Sequence, residues 1–162
     1  MHIQKRHLQH PSQLRPQQNF RLECWHRLAL YAVFAALTLS GIVWLVAHYL
    51  LRQASEFGES VHPWEHPAMQ IHGGLAMLIL LLTGSLLQLH IRRAYRARCN
   101  RRSGWSMLGC LAVLGISGYG LYYLASEQSH IVWSLGHSLI GLVLPVVVWL
   151  HILFGRKAVA HS

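Results

Sequence analysis

Four apolar runs, each long enough to cross a bilayer, occupy most of this 162-residue chain and leave it few folds to choose from. They cover residues 25–51, 68–89, 104–124 and 131–154. The hydrocarbon layer of a membrane is about 30 Å thick, a distance that about 20 helical residues span. Inside it, backbone N–H and C=O groups have no water to bond, so each run is expected to be a helix. Charged residues make up 12% of the chain, against about 25% in a soluble domain. These features predict an all-α, integral membrane four-helix bundle forming one domain over residues 20–157. A polar tail at 1–19, with histidines and prolines but little apolar surface, is expected to be disordered, and 158–162 form a short C-terminal tail. The first 22 residues are polar and basic, unlike a cleavable signal peptide.

The formal net charge of +9 raises the question of nucleic acid, and its placement answers it. Arg21 and Arg27 flank the first run, six arginines from Arg92 to Arg102 fill the second connection, and Arg156 and Lys157 follow the last run. Arg52 is the exception on the opposite side, where Glu56, Glu59, Glu65 and Glu127 also fall. Short basic flanks beside apolar spans follow the positive-inside rule, which puts both termini in the cytoplasm. No nucleic-acid partner is expected; membrane lipid is.

His137 and His151 stand fourteen residues apart on the fourth run. That is close to four helical turns, a rise of about 21 Å, so the two imidazoles share a face near opposite edges of the bilayer. Intramembrane ionisable residues are costly and mark functional sites. His72 begins the second run and is level with His137; His26 begins the first and is level with His151. Each level therefore carries two imidazoles from different helices, as a ligand clamp inside a bundle requires. Two stacked haems, each with two axial histidines, fit this pattern. His90 lies about 6 Å deeper than the level of His151 and is the rival to His26 for the inner site. His48 falls about 12 Å beyond the level of His137 and reads as interfacial.

Other residues are read around this frame. Cys24, Cys99 and Cys110 form no C-x-x-C-H attachment motif, so covalent c-type haem attachment is not expected. A divalent-metal transporter needs carboxylates or thiols at mid-depth, and the chain has no Asp and no Glu there. Gly41, Gly73, Gly74, Gly109, Gly115, Gly118 and Gly120 permit close approach, either of a flat ring or of a neighbouring helix. No internal repeat stands out. Ser138, Ser40, Thr83 and Ser134 are available to accept an imidazole N–H. Arg27, Arg92 and Arg156 suit haem propionates on the inner side, with Arg52 or Trp133 outside, and His90, Glu23 and Arg27 suit a quinone contact.

From about Phe20 to Lys157 the chain resembles the four-helix bacterial di-haem cytochromes b. These include the gamma subunit of formate dehydrogenase and the b-type cytochrome subunit of nickel–iron hydrogenase. The resemblance rests on His26 in Trp25-His26-Arg27, His72 in His72-Gly73-Gly74, His137 in Gly136-His137-Ser138 and His151 in Trp149-Leu150-His151. The Ser40-Gly41 step is similar to a Thr/Ser-Gly step of the family. The resemblance implies two haem b groups, the outer held by His72 and His137 and the inner by His26 and His151. It implies a bacterial cytoplasmic-membrane location and electron transfer between a periplasmic oxidoreductase or cytochrome c partner and the quinone pool. Two other readings stay open: a free-standing quinol-oxidising cytochrome that reduces a diffusible acceptor, and a haem-free membrane anchor.

Overall fold

The structure is a computed structural model that describes residues 23–55, 58–96 and 101–160. The tail at 1–19 and Cys99 lie outside them. Four long helices dominate: α1 (Cys24–Tyr49), α2 (Glu65–Leu86), α4 (Arg101–Tyr123) and α5 (Glu127–Ala160). All four are long and apolar enough to cross a membrane, so the chain is an all-α, multi-pass membrane protein built on four spans. The helix α2 runs on through a π-helical turn at Leu87–Ile91 into the short α3 (Arg92–Arg96). Between α1 and α2 a two-stranded antiparallel ribbon pairs β1 (Gln53–Ser55) with β2 (Gly58–Ser60). Gly58 has φ 109°, which a side chain would strain, at the ribbon's turn-side end.

Local chemistry explains where the helices begin. The α2 helix starts three residues ahead of the hydropathy boundary because Pro67 falls in its first turn, where no intrahelical N–H is needed. Glu65 in the same turn suits the positive end of the helix dipole. Ser126 and Ser129 cap α5 reciprocally. The Ser129 N–H donates to Ser126 Oγ at 3.3 Å, and the Ser126 N–H donates to Ser129 Oγ at 3.0 Å. These are orphan donors of the first turn, satisfied as in a capping box.

The helices pack as two antiparallel hairpins, α1 against α2 and α4 against α5, joined by a lighter contact of α1 with α5. Where helices close on each other the buried residues are mostly small: Ser40, Ala47, Ala68 and Ser134. Small residues let membrane helices approach closely. Gly120 shows the same principle, because the Trp133 ring of α5 occupies the space a Cβ there would need. Among the described residues no large side chain is fully buried. Two histidines, His72 of α2 and His137 of α5, meet across the two hairpins.

Candidate functional site

The site is assembled from the contacts that each hairpin makes internally. On α1, Ser40 Oγ donates to the Leu37 carbonyl at 2.9 Å, one turn back on its own helix. His72 of α2 then reaches across, its Nδ1 lying 3.1 Å from the same carbonyl and 3.2 Å from Ser40 Oγ. A carbonyl only accepts, so Nδ1 carries the proton and Nε2 is the basic nitrogen. In the second hairpin Ser117 of α4 donates to the Leu114 carbonyl at 3.2 Å. Its oxygen lies 2.8 Å from His137 Nδ1. His72 and His137 are thus each held through Nδ1 by a serine, and among the described residues neither Nε2 has a hydrogen-bond partner.

These two rings approach each other edge-on across the two hairpins. Their centroids are 6.3 Å apart and their planes cross at 76°. A metal–imidazole bond of about 2 Å on each side, added to the rings' own radius, gives centroids about 6 Å apart for two axial ligands on one ion. The separation is therefore suited to a single metal centre between them. Glycine makes the approach of each ring to its buttress possible. A Cβ on Gly41 would stand 3.1 Å from His72 Cε1, and one on Gly118 would stand 3.4 Å from His137 Cε1. These two glycines therefore accommodate imidazoles. Gly73, Gly74, Gly109 and Gly115 have no side chain or other segment within reach of an added Cβ.

The device recurs at the terminus end of the bundle. His151 Nδ1 lies 3.0 Å from Ser103 Oγ, with Gly104 beside the ring. Ser103 and Ser117 thus repeat on α4 the fourteen-residue interval that separates His137 and His151 on α5. His26 is held differently. Its Nε2 lies 3.2 Å from Ser85 Oγ, which already donates to the Leu82 carbonyl at 2.7 Å, so Nε2–H is the donor. His26 also rests against Trp25, with ring centroids 4.9 Å apart. His90 sits in the π-helical turn and comes within electrostatic reach of His151. A π turn inserts a residue into the helical register and re-aims the side chains on it. The structure thus brings His72 and His137 together edge-on, while at the other level three histidines, His26, His90 and His151, share one end of the bundle.

Most of the serine partners escaped the sequence reading. Of the four polar groups expected there, Ser40 takes the role. Ser138, Thr83 and Ser134 hydrogen-bond none of these four rings among the described residues. Ser85, Ser103 and Ser117 do so instead. The legible signal was the recurrence of Ser-Gly at 40–41, 103–104 and 117–118, with Gly-Ser at 84–85. The other expected contacts are dispersed. Arg27 lies exposed with Nη2 4.0 Å from Cys24 Sγ, and Glu23 accepts from Trp25 Nε1 at 2.6 Å. Arg156 lines an open groove with Tyr31, Phe34, Pro145 and Trp149. Arg52 turns to His48, and Trp133 packs over Gly120.

Among the described residues no three His, Cys, Asp or Glu side chains converge as a chelating cluster. A bare metal ion needs such a cluster, whereas a macrocycle brings its own equatorial nitrogens and asks the protein for axial ligands only. The donor set present, two imidazoles from separate hairpins with ring centroids 6.3 Å apart, fits the second case. Compared with known proteins, the chain matches no family model, no curated protein and no solved structure.

Proposed function

We propose that this four-span protein is a transmembrane di-haem b-type cytochrome of the kind its motifs resemble. In that reading it is the membrane subunit of an oxidoreductase in a bacterial cytoplasmic membrane, with both termini cytoplasmic. It carries electrons between a periplasmic redox partner and membrane quinone. The observation that carries the reading is the His72–His137 pair: two imidazoles from separate hairpins, 6.3 Å apart, each tied back through Nδ1. Outer-shell hydrogen bonds of this kind fix the tautomer and raise the basicity of a metal-binding imidazole.

His72 and His137 would hold the outer haem. His151, buttressed by Ser103, would hold the inner one, with His26 or His90 opposite it. Haem, when bound, supplies reversible one-electron chemistry. The protein's part is positional. Ser40, Leu37 and Ser117 hold the rings, Gly41 and Gly118 make room for them, and the apolar helix faces keep water away from the centre. The π-helical turn favours His90 as a participant at the inner site, either as a ligand or as a proton carrier to quinone.

A reduced-minus-oxidised visible spectrum of the purified protein, with haem quantitation, tests this reading. The expected outcome is sharp low-spin b-type bands and about two haems per chain. His72→Ala and His137→Ala should remove the same haem, and His151→Ala the other. His26→Ala and His90→Ala then decide between the two inner candidates. A colourless protein from cells with ample haem would leave the membrane-anchor reading instead.

A further inference from the structure

The groove that Arg156 lines takes no part in the histidine contacts. It lies between α1 and α5, with Tyr31 and Phe34 on one side and Pro145, Trp149, Ile152 and Arg156 on the other. The four α5 residues are spaced four, three and four apart, which sets them on one face of that helix. The groove is open to its surroundings and holds about 320 Å³. Ligand clefts run from about 300 to 1,000 Å³, so this one has room for a single slender chain.

Its length matches one leaflet of a bilayer. Pro145 and Arg156 are eleven residues apart, about 16 Å along the α5 axis. Half of a hydrocarbon layer is about 15 Å. Pro145 falls close to the middle of the apolar run 131–154, and Arg156 lies just beyond its end. The groove therefore reaches from mid-bilayer to headgroup depth. Its chemistry follows the same order: a cation at the headgroup end, then aromatic and aliphatic side chains.

That cation has no counter-charge in the fold. Arg156 is exposed and makes no hydrogen bond or ion pair among the described residues. Of the chain's five acidic side chains, only Glu23 belongs to this end, and it accepts from Trp25 Nε1 at 2.6 Å. Arg27, Arg92, Arg96, Arg101 and Arg102 add positive charge at the same end. A guanidinium suits bidentate contact with a phosphate, and anionic lipids present that group at this depth. A zwitterionic headgroup offsets its phosphate with its own cation, and a quinone ring carries no charge. We propose that the groove holds one anionic phospholipid. Its phosphate sits on Arg156, and one acyl chain runs past Trp149 and Ile152 towards Pro145, against Tyr31 and Phe34. The lipid touches both hairpins where their mutual contact is light, so it stabilises their assembly by mass action. This does not depend on the haem reading.

The test is native mass spectrometry of the intact protein as purified in detergent. Phosphatidylglycerol and phosphatidylcholine with identical acyl chains are added in equal amounts. One phosphatidylglycerol should be retained per chain in preference to phosphatidylcholine. Arg156→Gln should lower that preference about fivefold, the effect of one arginine near an anionic surface. Arg156→Lys should keep most of it. Phosphatidylglycerol with a photoreactive group in its acyl chain should crosslink to both 31–34 and 145–152. Phosphatidylglycerol should also raise the Tm of the unaltered chain, and much less that of Arg156→Gln. Equal retention of the two lipids overturns the proposal, because the bound lipid is then unselected. A preference that survives Arg156→Gln overturns it too, by placing the phosphate on another arginine. Displacement of the phosphatidylglycerol by an equal amount of short-tailed quinone would give the groove to quinone instead.

Discussion

At the scale of single residues, the pattern that organises this protein is a serine that donates to its own helix and accepts from a neighbour's imidazole. Ser hydroxyls in membrane helices commonly bond a carbonyl one turn back, which keeps them satisfied in hydrocarbon. Ser40, Ser85 and Ser117 do this and still offer a lone pair to His72, His26 and His137. On the proposed haem reading, Ser117→Ala should therefore fold normally and bind haem, but with a shifted outer midpoint potential. Loss of an outer-shell partner typically weakens metal affinity or activity by about 10–100-fold, which haem retention during dilution would read. The glycines beside these serines predict a graded series. An alanine at Gly41 would press on His72 at 3.1 Å, one at Gly118 would touch His137 at 3.4 Å, and one at Gly104 would meet His151 at an ordinary 3.7 Å. Haem content per chain should fall most in Gly41→Ala, less in Gly118→Ala, and stay unchanged in Gly104→Ala.

At the scale of elements, the α4–α5 pair depends on a contact that has no slack. The Trp133 ring sits where a Gly120 side chain would be, so Gly120→Ala must displace an indole at a tight helix crossing. Overpacking of this kind costs about 1–3 kcal/mol. Thermal denaturation in detergent should show a clear drop in Tm, and Trp133→Leu in the same chain should recover part of it. The π-helical turn at Leu87–Ile91 makes a second element-level prediction. Deleting Gln88 would return that stretch to α-helical register and rotate His90 by about 100°. On the proposed haem reading, the inner haem band should change in position or intensity, and the outer band, assigned to residues upstream and in the other hairpin, should not.

At the scale of the whole molecule, the two hairpins have strong internal packing and a light contact with each other through α1 and α5. The pair at His72 and His137 straddles that division. A group ligated from both sides binds only the assembled form, and so stabilises assembly by mass action. Fragments 1–98 and 99–162, expressed together, should co-purify from haem-replete cells. Recovery of the pair should fall by roughly tenfold or more when haem synthesis is limited. Equal recovery under both conditions would show that helix packing alone joins the hairpins.

How much was legible differs by kind of residue. Four membrane-spanning helices were determined by the sequence alone, because length and hydropathy leave the backbone no alternative in a bilayer. The pairing of His72 with His137 by depth was also readable, because a helix converts residue number into height at a constant rise. Rotation about each axis is not readable that way, since it is set by which faces pack. The tertiary structure therefore decided which serines meet which rings, that Gly41 and Gly118 accommodate imidazoles, that a π turn presents His90, and that His48 meets Glu65 and Arg52. Each of these joins two helices, and a contact between helices depends on relative rotation that no single helix carries in its own sequence.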